Sequence, residues 1–124
     1  MEIAISQTQA RVPVTILQVQ GKIDSTNYQE FGAAAQQVME AGAEYLLIDL
    51  SYCGYISSAG IRSLNEIFLK FRKSHPDESR EKDSRSQHVK LLKPSEKISD
   101  VLAISGVDAF FEIHTDLAAA LASF

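Results

Sequence analysis

Apolar and polar residues alternate along the first part of the chain. Residues 2–6, EIAIS, alternate with a period of two, and residues 12–21, VPVTILQVQG, form a longer apolar-rich run after a short polar gap. Alternation with this period is typical of half-buried strands. We therefore predict a β-hairpin, with Gly21 ending its second strand. Pro13 has no amide hydrogen to donate, so we expect it near an edge or at the start of that strand.

The next segment changes to the 3.6-residue spacing of a helix. In residues 22–43 this spacing follows DSTN at residues 24–27, which suits an N-cap, and Gly42 suits the end of the helix. Thr26 and Gln29 have the spacing of a capping box. We predict a first helix here.

A second helical pattern follows the sequence SSAG, and its start is expected near Ser57 or Ser58. Its apolar positions recur at helical spacing, at Ile61, Leu64, Ile67, Phe68 and Phe71. Between the two helices, residues 44–50, EYLLIDL, form an apolar run without alternation, as expected for a central strand covered on both faces. We expect residues 51–56, SYCGYI, to form the loop between this strand and the second helix.

The last third of the chain repeats strand and helix signals after a charged stretch. Residues 74–87 contain no large apolar residue and carry nearly balanced charge, which predicts a mobile loop. In the helix predicted for residues 96–105, Ile104 is expected to face the core and Gly106 to end the helix. The remaining signals predict strands at residues 88–92 and 110–114 and a final helix at residues 115–124.

Two strands followed by alternating helices and strands predict an α/β domain with a mixed sheet and crossover helices. In such sheets, functional loops tend to leave the carboxyl ends of the strands. Residues 21–25 and 51–58 meet that description. If their strands are neighbours, the two loops form one surface.

The composition limits the classes of function. The chain has 124 residues, of which 45% are hydrophobic and 23% charged, so it can bury the core of one domain. A net charge of −4 and a pI near 5.3 argue against direct nucleic-acid binding, which depends on a basic surface. No apolar run reaches the ~20 residues that span a bilayer, and the N-terminus has no signal core. We therefore expect no membrane insertion and a cytoplasmic location.

Two enzymatic interpretations lack the residues they need. Asp49, near the end of a central strand, suggests a receiver domain, but the acidic pair and the lysine that such a site requires are missing. Its simpler role is to accept hydrogen bonds from loop amides. Ser58 and Gly60 match the second half of the serine hydrolase motif G-x-S-x-G, but Ile56 replaces its first glycine. A hydrolase would also need an Asp and a His later in the chain, and by residue type alone Asp100, Asp108 and His114 are available.

The sequence contains no other recognisable site chemistry. It has no Gly-rich phosphate-binding loop, and the histidines, at positions 75, 88 and 114, lack the spacing of metal ligands. Cys53 is the single cysteine and is expected to be a small loop or core residue rather than a reactive thiol. We predict no catalytic residue, no cofactor and no metal.

The paired hydroxyls of Ser57 and Ser58 allow two interpretations. In the simpler one, either serine caps the helix and Gly60 permits close packing. In the other, a phosphoryl group is added there, because the first-turn amides and the dipole of a helix favour an anion. Arg62 lies one turn after Ser58 and could pair with the added oxygens. A change of about −1.5 to −2 charges would alter any protein interface centred on this site.

The chain resembles the STAS domains of the anti-sigma factor antagonist type. The resemblance rests on GKIDSTN at residues 21–27, LLIDLSYCGYISSAGIRSL at residues 46–64 and KLLKPSEKISDVLAISGVDAFFEIHTDLAAAL at residues 90–121. It implies a single domain across residues 1–124, with a mixed sheet and about four helices packed mainly on one face.

The resemblance also implies a role in partner switching. In that scheme the unphosphorylated protein binds an anti-sigma factor that is a serine kinase, the kinase uses ATP to phosphorylate a serine, and a phosphatase reverses the reaction. Ser58 matches the phosphorylated serine, with Ser57, where many members have an acidic residue, as the alternative. The partner-binding residues implied by the family are Asp24, Ser25, Tyr55, Ser57, Ser58, Gly60 and Arg62.

The family also contains modules that no kinase modifies, including scaffold subunits of stress-signalling complexes and components of transporters. A non-phosphorylated interaction or scaffold role is therefore the alternative function. In that case, Ser57 and Ser58 only cap the helix.

Overall fold

The computed structural model describes residues 1–75 and 85–124, which form a five-stranded sheet, four α-helices and one short 3-10 turn at Val107–Ala109. The strands are β1 Glu2–Gln9, β2 Pro13–Ile23, β3 Leu46–Ile56, β4 Val89–Leu92 and β5 Ile113–His114. The helices are α1 Tyr28–Glu40, α2 Ser58–Ser74, α3 Glu96–Ser105 and α4 Leu117–Ser123.

The sheet is mixed, as predicted, and its strands follow chain order from β1 to β5. β1 and β2 form the predicted antiparallel hairpin, in which Pro13 is the first residue of β2 and lies opposite Gln9. β2, β3, β4 and β5 run parallel to one another. Their carboxyl ends therefore lie at one edge of the sheet.

Two strands extend further than the sequence indicated. Gly21, with φ +103°, lies within β2 next to a register shift instead of ending the strand. The predicted loop at residues 51–56 is also wrong, because β3 continues to Ile56, which lies opposite Ile23. After a register shift, two strands can resume pairing beyond an irregular residue. The hydrogen bonds between β2 and β3 therefore extend both strands, and such pairing cannot be inferred from the local sequence.

The two faces of the sheet are covered unequally. Successive β3 residues alternate between the faces: Leu46 and Ile48 pack with α1, α2 and α3, whereas Leu47 packs in a smaller cluster with Ala120 of α4. Four helices packed mainly on one face are confirmed. The larger core includes Leu17, Phe31, Leu64, Phe71 and Leu102.

The start of α1 differs from the prediction. Thr26 and Gln29 form no capping box, and the side chain of the N-cap residue, Asn27, accepts no hydrogen bond from the amides of the first turn. Instead, the amide and hydroxyl of Thr26 both donate to the Asp24 carboxylate. Gly42, with φ +103°, follows the end of the helix as expected.

Ile104 does not face the core, contrary to the prediction: the residue is 88% exposed. The buried residues of α3 are Ile98 and Leu102, one turn apart. Two residues past Leu102 correspond to a rotation of about 200°, which turns Ile104 toward solvent. Gly106 ends the helix in the left-handed conformation, as predicted.

Of the described residues of the loop predicted at residues 74–87, only the first lies in a helix or strand and residues 85–87 lie in neither, whereas residues 76–84 lie outside the described part of the chain. Ser74 belongs to α2. Ser86 is buried, and its hydroxyl accepts the amides of His88 and Val89. Small polar side chains like that of Ser86 are buried when backbone groups satisfy them, which composition alone does not indicate.

Candidate functional site

The segments that were expected to share a surface, residues 21–25 and 51–58, lie side by side at the carboxyl edge of the sheet, although residues 21–23 and 51–56 belong to strands. β2 and β3 are parallel neighbours, and Ile23 lies opposite Ile56 at their ends. The amide of Ser57 donates to the carbonyl oxygen of Ile23 at 2.8 Å. This hydrogen bond joins the start of α2 to the segment that leads into Asp24.

Ser57 is the N-cap of α2. Its backbone is extended, with φ −89° and ψ 175°, and its Oγ accepts the amide of Gly60 at 3.4 Å. Its carbonyl oxygen accepts the amide of Ile61 at 2.9 Å. Ser57 is half-buried, and its hydroxyl oxygen accepts the hydrogen bond of a first-turn amide. Ser57, and not Ser58, therefore caps the helix.

Ser58 is the first residue of the helix and is exposed. Within residues 1–75 and 85–124, its hydroxyl makes no hydrogen bond. The first turn of an α-helix leaves its amides without intrahelical acceptors, and the positive end of the helix dipole lies there. An oxyanion attached to Ser58 would therefore meet amide hydrogens rather than carbonyl oxygens.

Gly60 places this first turn close to the sheet. A Cβ atom on Gly60 would lie 2.6 Å from Ile56 Cγ1 and 2.8 Å from Ile23 Cγ2, well inside van der Waals contact. Only a residue without a side chain fits between the helix and these two strand ends. Gly60 therefore fixes how deeply the start of α2 is seated and where Ser58 stands.

The Asp24 loop is ordered by its own side chains. The Asp24 carboxylate accepts the Thr26 amide at 2.9 Å and the Thr26 hydroxyl. These bonds from Thr26, the hydroxyl first and then the amide, lower the pKa of Asp24 below its usual value. Asn27 accepts the amide of Asp24 and donates to the carbonyl oxygen of Lys22, both at 2.9 Å. Ser25 is exposed beside them.

Tyr55 and Arg62 complete the set of residues expected at this site. Tyr55 is 39% exposed, and Lys97 Nζ lies 5.6 Å from the centre of its ring. Arg62 is exposed one turn after Ser58, and no carboxylate of the described residues lies within 4.0 Å of its guanidinium. The residues that the sequence singled out gather around one edge of the sheet: Asp24, Ser25, Tyr55, Ser57, Ser58, Gly60 and Arg62.

Two lysines beside Tyr55, Lys22 and Lys97, were missed by sequence reasoning. Lys22 lies opposite Tyr55 in the register of β2 and β3. Lys97 is in the first turn of α3, which follows β4. The order of the strands could have indicated Lys97. A helix that follows a parallel strand begins at the carboxyl end of that strand, and the carboxyl ends of the neighbouring parallel strands lie at the same edge of the sheet.

Two residues considered for other chemistry, Asp49 and His114, have partners away from Ser58. Asp49 is 8% exposed and accepts hydrogen bonds from Gln18 at 3.0 Å and from the Ser51 amide at 2.9 Å, as its simpler interpretation required. His114 contacts Glu112 at 3.2 Å, and no hydrogen bond among the described residues connects it to Ser58.

Cys53 lies in the core, and burial raises the pKa of its thiol. In the described part of the chain, no three side chains of the His, Cys, Asp or Glu type form a group that could hold a metal ion. None of the described helices is both long enough and apolar enough to cross a bilayer.

Several solved structures have the same fold. An anti-sigma factor antagonist of Thermotoga maritima, itself described as putative, matches with a TM-score of 0.78 and 18% identity over 95% of this chain and 90% of its own. An anti-sigma factor antagonist of Mycobacterium paratuberculosis matches with a TM-score of 0.73 and 19% identity over 97% and 92%. The phosphorylated form of the Bacillus cell fate determinant SpoIIAA matches with a TM-score of 0.63 and 13% identity over 96% of both chains.

At these identities the structures establish the fold alone. No protein with a curated description matches the chain in sequence. The model of the STAS domain family matches residues 6–75, which is more than half of the chain and includes β2, α1, β3 and α2. The chain therefore belongs to the STAS domain family.

Proposed function

We propose that the chain is an anti-sigma factor antagonist that works by partner switching and is switched off by phosphorylation of Ser58. The observation that carries this proposal is that two adjacent serines have different surroundings. Ser57 caps α2, whereas the hydroxyl of Ser58 is exposed and makes no hydrogen bond with any described residue. The similarity in fold to antagonists from other bacteria, one of them in its phosphorylated form, supports the same role.

The modification is a phosphoryl transfer from ATP. Ser58 Oγ attacks the γ-phosphorus, an O–P bond forms, the bond to ADP breaks, and the hydroxyl proton leaves to a base on the kinase. A phosphatase reverses the modification by hydrolysis. Because Ser58 is exposed and has no hydrogen bond to lose, the chain can enter the kinase site without local unfolding.

The product changes the charge of the surface much more than its shape. Phosphoserine adds about −1.5 to −2 charges and strong acceptor oxygens. The first-turn amides of α2 other than that of Gly60, which Ser57 already accepts, and the guanidinium of Arg62, four residues further on, would receive them. The fold is expected to persist, and the surface presented to the anti-sigma factor changes.

The unphosphorylated chain binds the kinase-type anti-sigma factor and so releases a sigma factor. The binding surface consists of the Asp24 loop, Tyr55 and the first turn of α2 from Ser57 to Arg62. The chain then acts in the cytoplasm by occupying its partner, without catalysing a reaction and without contacting nucleic acid.

Binding of two substituted chains to a candidate anti-sigma kinase, measured by calorimetry with ADP present, tests the proposal. Ser58→Ala is expected to bind as well as the unmodified chain and to stay bound when ATP is added. Ser58→Asp is expected to bind at least about tenfold more weakly, because it adds a charge at the contact. Ser57→Ala is the matched control and should still release the kinase when ATP is added.

Equal binding by Ser58→Ala and Ser58→Asp, with ATP-insensitive complexes throughout, would contradict the switch. It would favour the alternative, a STAS interaction or scaffold subunit that no kinase modifies.

A further inference from the structure

Tyr55 lies between two lysines at the carboxyl edge of the sheet. Lys22 is its partner across the parallel β2–β3 ladder, and Lys97 Nζ lies 5.6 Å from the centre of its ring. Strand β2, strand β3 and helix α3 each contribute one of the three side chains. We call Lys22, Tyr55 and Lys97 together the Tyr55 platform.

Both lysines of the platform are free to bind an anion. Each is exposed, and no carboxylate of the described residues lies within 4.0 Å of either ammonium group. The nearby Asp24 carboxylate is held by Thr26, and Lys22 makes only a minor contribution to its low pKa. The two exposed lysines next to Tyr55 contrast with the net charge of −4 of the whole chain.

Tyr55 supplies apolar surface between these charges. The residue is 39% exposed, whereas the apolar residues of the core are at most 8% exposed. Tyrosine is a common anchor in protein interfaces, because a rigid ring offers contact area at low entropic cost.

From this arrangement we infer that the Tyr55 platform binds an acidic segment of the partner protein, with carboxylates on Lys22 and Lys97 and an aliphatic or aromatic side chain against the ring. This inference rests on the proposed function, since it names the chemistry of the surface that the partner presents. Two lysines are a small basic footprint, whereas nucleic-acid binding depends on an extended basic surface. We therefore infer that the occupant is a protein segment.

The platform also gives phosphorylation a physical consequence. Ser58 follows Tyr55 by three residues, at the point where β3 passes into α2. A phosphoserine there adds about −1.5 to −2 charges three residues along the chain from Tyr55, against the two positive charges of the platform. Attraction for an acidic segment then falls, and it falls most at low ionic strength, where exposed charges are least screened.

NMR of the isotope-labelled chain during titration with the blocked peptide hexaglutamate tests the platform without any need for the kinase. The amides of Lys22, Tyr55 and Lys97 are expected to shift together, and the shifts should diminish in 0.5 M salt. Replacing both lysines, Lys22→Gln with Lys97→Gln, should weaken the binding by about fivefold, the combined effect of two exposed ion pairs. Lys73→Gln, at the far end of the 17-residue helix α2, is the matched control and should leave the binding unchanged.

The ring is tested by Tyr55→Phe, which should bind as the unmodified chain does, and by Tyr55→Ala, which should bind the hexapeptide Glu-Glu-Leu-Glu-Glu-Leu more weakly. Shifts that are absent at millimolar peptide or that centre elsewhere would overturn the inference, even if a kinase phosphorylates Ser58. Tighter binding of a six-residue oligothymidylate at the same amides would overturn it in favour of nucleic acid. If the platform binds hexaglutamate but Ser58 accepts no phosphate, the inference stands and the proposed switch fails.

Discussion

At the scale of single residues, the two adjacent serines differ in what surrounds their hydroxyls. Ser57 Oγ accepts the amide of Gly60, whereas Ser58 Oγ has no hydrogen-bond partner in the described chain. The sequence places two identical side chains side by side and cannot distinguish them. The distinction comes from backbone geometry, since Ser57 is extended and Ser58 has the first helical conformation.

This difference predicts opposite results for two alanine substitutions. Ser57→Ala should lower the free energy of unfolding by about 1 kcal/mol, because it removes the acceptor of a first-turn amide. Ser58→Ala should change it by less than about 0.5 kcal/mol, because an exposed side chain without a partner is lost. Urea denaturation monitored by circular dichroism measures both. A larger loss for Ser58→Ala would contradict the assignment of the cap.

The Asp24 carboxylate gives a second prediction at this scale, which concerns pH. The two hydrogen bonds from Thr26 lower the pKa of Asp24 in the folded chain. A folded pKa below the unfolded one adds stability that is present above the unfolded value, near 3.9, and is lost as the pH falls through the folded value. NMR titration of the side-chain carboxyl should show this low pKa, and Thr26→Val should raise it. An unchanged titration in Thr26→Val would show that the Thr26 hydroxyl does not lower the pKa of Asp24.

At the scale of elements, the seat of α2 on the ends of β2 and β3 fixes the position of the candidate site. Gly60 has no space for a side chain between Ile56 and Ile23. The contact joins one helix to two strands, so a change there moves the first turn that carries Ser58.

Gly60→Ala should therefore destabilise the chain by about 1–3 kcal/mol, the usual effect of overpacking a tight contact. Gly54→Ala is the matched control, since a Cβ at Gly54 would meet no atom within 4 Å. It should change stability by less than about 0.5 kcal/mol. Thermal denaturation of the two variants compares them directly, and equal melting temperatures would show that α2 is not seated by Gly60.

The elements also show how far the sequence alone can be interpreted. Periodicity predicted the hairpin, α1, α2 and α3, and residues 21–25 and 51–58 were expected to form one surface if their strands were neighbours. The extension of β3 to Ile56 depends on pairing with β2, and the exposure of Ile104 depends on where the buried stripe of α3 lies. Neither property is local, so neither is visible in a short window of sequence.

The sequence predicted which residues belong to the candidate site, but only the structure shows how they are arranged. The hydroxyl pair and the resemblance to a family pointed to Ser57, Ser58 and Asp24. Lys97 was missed because it is more than 30 residues away in sequence from Tyr55, and only the parallel arrangement of β3 and β4 brings α3 to the same edge. A local sequence pattern does not predict long-range contacts of this kind.

At the scale of the whole molecule, a buried lysine attaches α4 to the face of the sheet that the other helices leave open. Lys90 is 1% exposed, and its Nζ donates to the carbonyl oxygen of Ser123 at 2.8 Å and to the hydroxyl of Ser123 at 3.0 Å. Glu112 lies 3.3 Å from the same ammonium group. All three donors of the lysine are therefore satisfied.

Lys90→Ala should lower the free energy of unfolding by about 2–3 kcal/mol, because it removes buried contacts and leaves Glu112 without its cation. Hydrogen exchange of the α4 amides should accelerate more than exchange in β3. Lys73→Ala removes an exposed lysine at the end of α2 and should have almost no effect. Unchanged exchange in α4 of Lys90→Ala would show that the lysine does not attach that helix.

The proposed partner switch depends on Ser58 being the residue that is modified. Peptide mass spectrometry of the chain after incubation with ATP and each candidate anti-sigma kinase of its own genome tests this most directly, with Ser57→Ala and Ser58→Ala alongside. We predict one added phosphate on Ser58, present in Ser57→Ala and absent from Ser58→Ala. Phosphate on Ser57 instead, or a stable complex with a kinase that adds no phosphate, would contradict the switch at Ser58.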